Sequence, residues 1–266
     1  MKYQEEPISE NSLYKIDQID QLAIIRFKAD LPLEELYKVE SSDQYFGEGL
    51  SKILSKNIST RLFIFSDNTF SEERFNEFFK TIKIEENEKV DFLSSETNIR
   101  LNTLARFTNI KHRFIKDCLE SEKINIIALK GSAIGLWLST VLSGDYSILS
   151  ENSQFTFPFI EDDILPLGGL VYYLDKYATK AALDELLLFG KPIAATDLDR
   201  WGLVNRVLPE KSNFDQEAIK IAFEVSKKSY FYISKMKNYK HRLNRRLLES
   251  LDLEREFYSR IVSRRF

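Results

Sequence analysis

Seven of the nine glycines fall between Gly131 and Gly202, and glycine marks places where a backbone turns tightly or approaches something closely. The middle third of this 266-residue chain is therefore where backbone geometry is most constrained. It opens with Ile124–Asn125–Ile126–Ile127–Ala128–Leu129, an apolar run short enough for a buried strand. Lys130–Gly131–Ser132–Ala133–Ile134–Gly135 turns out of that strand, and Leu136 to Leu142 reads as a helix. A helix start leaves free N–H groups pointing outward, and such amides can stabilise an anion. On its own, the motif reads first as a glycine-assisted strand-to-helix turn without chemical importance.

The rest of the chain alternates strands with helices. Leu22 to Phe27 and Arg61 to Phe65 read as strands, residues 33–57 as helical, and the charged stretch from Lys80 to Lys89 as a solvated loop. Residues 98–120 carry an apolar helical stripe through Leu104, Phe107, Ile110 and Phe114. Strands are expected over 145–149 and 153–157, helices over 170–176, 179–189 and 196–200, and helix throughout from Asp215 onward. Strand–helix alternation followed by a helical tail implies an α/β core over residues 1–210 with a helical C-terminal region over 211–266.

Composition narrows the function. Thirty-eight basic against 41 acidic residues give a net charge of −3, so no overall field recruits nucleic acid or an anionic membrane. One cysteine excludes an internal disulfide framework, and with two histidines it leaves a zinc site unsupported. No apolar run approaches the ~20 residues of a membrane helix, and the acidic, polar start is the opposite of a secretory signal. The expectation is a cytoplasmic protein without metal or resident cofactor.

Four segments, in order and spacing, resemble the crotonase (enoyl-CoA hydratase/isomerase) superfamily. INIIALKGSAIGL looks like its apolar strand and G-x-A-x-G turn, and LSGDYSILSENSQFTFP like its small-residue–Asp strand and x-F-x-x-P. ILPLGGLVYYL resembles its I-P-G-x-G-G segment, and FGKPIAATDLDRWGLVNRVLP its T-G-x-x-I-x-A stretch ending V-x-P. The resemblance implies a crotonase-like spiral of ββα units with a helical C-terminal trimerisation region, hence a homotrimer or hexamer. It also implies a substrate that itself carries coenzyme A, or an acyl group on the phosphopantetheine of a carrier protein. Two backbone amides would grip the thioester oxygen: that of Leu136, after Gly135, and that of Glu72, where the family's F-S-A-G-A-D is replaced by Phe70–Ser71–Glu72–Glu73–Arg74–Phe75. Gly131, Gly135 and Leu136 would form the thioester-binding turn.

The family's proton-moving carboxylates fall at Ser139, Phe159 and Leu167, none of them an acid. A serine is a weak base without a partner histidine, and His112 and His241 sit in helices outside the motif. Asp162 and Asp163, with Glu161, lie in the loop before Leu167, either as a solvated acidic loop or as relocated acids facing the acyl pocket. Decarboxylation or a carrier-bound step, as in polyketide biosynthesis, needs no such acid. The rival expectation is a catalytically silent subunit that binds an acyl thioester or a partner protein. Tyr172, Tyr173 and Tyr177 read as core or interface aromatics, and Asp145 as a structural residue bonding nearby backbone. The basic stretch from Lys227 to Arg246 reads as a solvated helix face, with CoA phosphate or an acidic carrier protein as its alternative partner.

Overall fold

The computed structural model describes residues 4–11, 13–28, 57–66, 73, 95–157, 166–243 and 245–264. In chain order the strands are β1 (Glu6–Glu10), β2 (Tyr14–Ile19), β3 (Leu22–Phe27), β4 (Thr60–Phe65), β5 (Ile124–Leu129), β6 (Ser132–Ile134), β7 (Tyr146–Ser150), β8 (Gln154–Thr156), β9 (Ile193–Ala194) and β10 (Arg206–Leu208). The helices described are α1 (Ser95–Glu120), α2 (Leu136–Leu142), α3 (Leu170–Tyr177), α4 (Lys180–Phe189), α5 (Ala195–Arg200), α6 (Phe214–Ser226), α7 (Tyr230–Leu243) and α8 (Arg245–Arg264). The expected helix over 33–57 falls almost wholly, and the charged loop over 80–89 wholly, outside the described residues.

One sheet runs β1-β2-β3-β4-β5-β7-β10. β1 to β3 are antiparallel neighbours, whereas β3, β4, β5, β7 and β10 pair in parallel. Side chains alternate between faces along a strand, so a strand covered on both sides reads as a continuous apolar run. β5 meets that condition. Ile127 and Leu129 join one core cluster with Phe63, Phe65 and Ile25, while Ile126 and Ala128 join another with Leu62, Ile64 and Ile24. Helix α6 covers the second face with Phe214, Ala218, Ile219 and Ala222.

A second, three-stranded sheet, β6-β8-β9, branches off directly after β5. Its β6 occupies the segment expected to be turn only, and its pairing with β8 fixes where α2 begins. A third cluster ties the last helix to the core: Leu247 and Leu251 of α8 pack with Ile115 and Leu119 of α1 and Tyr173 of α3. Among the described residues no helix is long and apolar enough to cross a membrane.

Candidate functional site

The central turn is held from both sides. Gly131 takes φ 87°, in the left-handed region that favours glycine. Gly135 needs no unusual dihedral; it is required by space, because a Cβ there would sit 2.0 Å from the Phe157 ring. Its N–H donates to Thr156 O at 2.7 Å, so β8 pins the turn. Leu136 is the first residue of α2, and Gly135 is its cap without a side-chain hydrogen bond. The Leu136 N–H therefore has no intrahelical acceptor, and it donates to no backbone oxygen among the described residues.

The opposite end of Leu136 is crowded. Its carbonyl oxygen accepts from the Ser139 hydroxyl at 2.7 Å and from the Lys111 ammonium, which α1 brings in from the side. Lys111 is 5% exposed, and its Nζ also stands 5.7 Å from the centroid of the Trp137 ring. Burial pushes this amine down from 10.5 to about 7, with the Glu254 carboxylate pulling the other way. Ser139 has no exposed surface.

The Gly168–Gly169 turn closes the arrangement. Both residues have positive φ, 77° and 72°. A Cβ on Gly168 would lie 2.4 Å from Ser139 Oγ and 2.8 Å from Lys111 Cε. A Cβ on Gly169 would lie 2.3 Å from Leu247 of α8. The N–H groups of both glycines donate to the Glu254 carboxylate, at 2.7 and 2.8 Å, and His112 Nε2 contacts the same carboxylate at 3.0 Å. Thus α1, α2, the double-glycine turn and α8 meet around one small polar cluster. No group of three or more metal-ligating side chains stands together among the described residues.

Several sequence expectations need correction or lie elsewhere. Glu72, Phe159, Glu161, Asp162 and Asp163 are outside the described residues. Leu167 is buried, at 1% exposure, and supplies no acid. His112 sits in α1, a helix outside the motif as expected, and its Nε2 contacts the carboxylate that holds the double-glycine turn. The basic stretch is not uniformly solvated. Lys237 is 4% exposed; it pairs with Asp145 at 2.7 Å and donates to Lys123 O at 2.6 Å. Asp145 also accepts from the Asn125 N–H at 2.9 Å, the backbone role expected of it. Tyr173 is buried, whereas Tyr177 is exposed. Sequence reading missed Lys111 and Glu254. Each is a charged residue on a buried stripe: Lys111 lies four residues from Ile115, and Glu254 follows Leu247 and Leu251 at the helical repeat.

The sequence profile of the enoyl-CoA hydratase/isomerase family matches residues 96–265. The chain belongs to that family. Carnitinyl-CoA dehydratases of Salmonella paratyphi A and Citrobacter koseri are 30% identical over 101 residues, 38% of this chain. The match spans only 39% of those relatives' length. Among solved structures, an enoyl-CoA hydratase from Bacillus halodurans superposes with a TM-score of 0.69 at 16% identity, covering 92% of each chain. An enoyl-CoA hydratase/isomerase from Pseudoalteromonas atlantica gives 0.64 at 18% identity, covering 95% of this chain and 90% of that one. The α/β fold of the family is therefore this chain's fold, as the four sequence segments implied.

Proposed function

We propose that this family member binds an acyl thioester and stabilises its enolate, with the Leu136 N–H hydrogen-bonded to the thioester oxygen. The observation that carries this reading is the Leu136 N–H itself: a buried helix-start donor without a backbone acceptor among the described residues, beside a polar cluster. A donor fixed by the fold toward developing negative charge stabilises it without reorganising at the moment of reaction. The second donor of the pair is assigned to Glu72 by the sequence resemblance alone. The same resemblance supports oligomerisation through the C-terminal helices and a carrier-protein substrate.

The substitution of Ser139 and Leu167 for carboxylates favours a second reading, a subunit that binds acyl thioesters without turning them over. Two measurements separate the readings. The carbonyl stretch of isotope-labelled butyryl-CoA should move to lower frequency on binding if a backbone donor polarises it. Crotonyl-, 3-enoyl- and malonyl-CoA are then offered as substrates, and binding without turnover of any of them selects the silent subunit. No binding of any acyl-CoA overturns both readings.

A further inference from the structure

We propose that a cleft at the far end of α2 binds a small phosphate monoester, at a site separate from the thioester turn. The cleft has a volume of about 380 Å³, within the range of small-molecule sites. It lies between the C-terminal end of α2, the start of β7, and helices α3 and α7. Leu136 opens α2 and Leu142 ends it, so about 9 Å of helix separates the cleft from the proposed thioester donor. The inference stands whether or not Leu136 binds a thioester.

The charges lining the cleft are unbalanced. Lys176, Lys237 and Lys240 stand there with a single carboxylate, Asp145. Lys237 and Asp145 answer each other at 2.7 Å, and Lys237 also donates to Lys123 O. Neither Lys176 nor Lys240 forms an ion pair among the described residues. Lys176 is steadied by aromatic rings of its own helix, its Nζ lying 5.6 Å from the Tyr172 centroid and 5.0 Å from that of Tyr177. Two unpaired ammonium groups in one cleft complement a doubly charged anion, whereas a single carboxylate answers only one of them.

The neutral side chains favour the same chemistry, because those with capacity left over are donors. The Ser147 N–H and hydroxyl both donate to Asn205 Oδ1, at 2.8 and 3.1 Å. That fixes the amide and leaves its NH2 group without a partner among the described residues. Ser143 Oγ donates to Thr140 O at 2.7 Å. Tyr173, in the cleft wall, is 7% exposed, and its hydroxyl has no hydrogen-bond partner among the described residues. Burial holds this phenol well above its ordinary range, so it stays a donor. A buried donor left over in this way calls for an acceptor from outside the chain. A phosphate monoester supplies acceptor oxygens and a double negative charge together. Leu119, Leu142 and Leu203 give its organic part an apolar wall.

The test is calorimetric titration of the full chain with phenyl phosphate at about pH 8, where a phosphate monoester carries both charges. One saturable site is expected. Inorganic phosphate, which lacks the ring, and benzoate, which lacks the second charge, should each bind about tenfold or more weakly. Replacing both lysines, Lys176→Met with Lys240→Met, should weaken phenyl phosphate by about tenfold or more. Both side chains are exposed, so the urea midpoint of this variant should match that of the parent. Saturating butyryl-CoA should leave the affinity for phenyl phosphate unchanged. Failure of the parent to bind phenyl phosphate, benzoate or inorganic phosphate binding as tightly, affinity that survives the double substitution, or displacement by butyryl-CoA each overturns the proposal. The ligand comparison and the competition are read on the parent alone, so the proposal stays testable if the double variant does not fold.

Discussion

Replacing Lys111 by methionine should make the protein more stable at low pH and progressively less so as pH rises. Burial lowers the amine from 10.5 to about 7. At about 1.4 kcal/mol per pH unit, that interval corresponds to a penalty of about 5 kcal/mol for carrying the charged lysine in the folded chain. Below pH 7 both folded and unfolded chains hold the proton, and the full penalty stands. Between pH 7 and 10.5 the unfolded chain holds the proton while the folded chain has shed it, so the stability of the parent rises across that window. Methionine is of similar length and does not titrate, and the Leu136 carbonyl keeps its bond from Ser139. Lys123 and Lys237, also lowered by burial, are common to both proteins and cancel in the difference. The assay is urea unfolding followed by circular dichroism at several pH values from about 6 to about 10. Lys111→Met should exceed the parent by several kcal/mol at the acid end, and the gap should close toward the alkaline end. A gap independent of pH would refute the reasoning, because it would mean that Lys111 keeps its proton in the folded chain as readily as in the unfolded one.

Gly135→Ala puts a Cβ 2.0 Å from the Phe157 ring and should cost about 1–3 kcal/mol through overpacking, read as a lowered urea midpoint with an unchanged slope. Glu254→Gln turns a carboxylate that accepts two glycine N–H groups into a group with one acceptor and one donor; a loss of about 1–3 kcal/mol is expected in equilibrium unfolding. The same change removes the charge that raises the Lys111 pKa, so the pH window over which the parent gains stability should begin at lower pH. Asp145→Ala leaves the Lys237 ammonium buried without its counter-charge, and chemical denaturation should register about 3–5 kcal/mol of destabilisation. Cys118 is buried, and desolvation pushes its thiol up to about 12. A thiol reagent at neutral pH should therefore titrate no cysteine in the native protein and one after denaturation.

The parts of the fold that sequence made legible are those whose cause leaves its mark on a run of adjacent residues. β5 is an unbroken apolar run because both its faces are covered, and α2 begins after Gly135 because β8 and the Phe157 ring leave no room for a side chain there. Two short pairings were not legible: β6 and β10 span three residues each and exist because a neighbouring strand lies beside them. The candidate site divides in the same way. Leu136 was named through the family resemblance, which places a thioester-gripping amide at the residue after Gly135. Lys111 and Glu254 were not, because each acquires its role from a helix distant in sequence. The clue to both was a charge standing on an apolar stripe, which helical periodicity alone treats as an interruption.

Glu254 completes a turn 86 residues earlier in the chain. A polypeptide still being translated thus carries the double-glycine segment with its two amides unanswered until α8 has emerged and docked. Strands β3 to β5 can pair well before that moment, so the sheet precedes the finished turn that it supports.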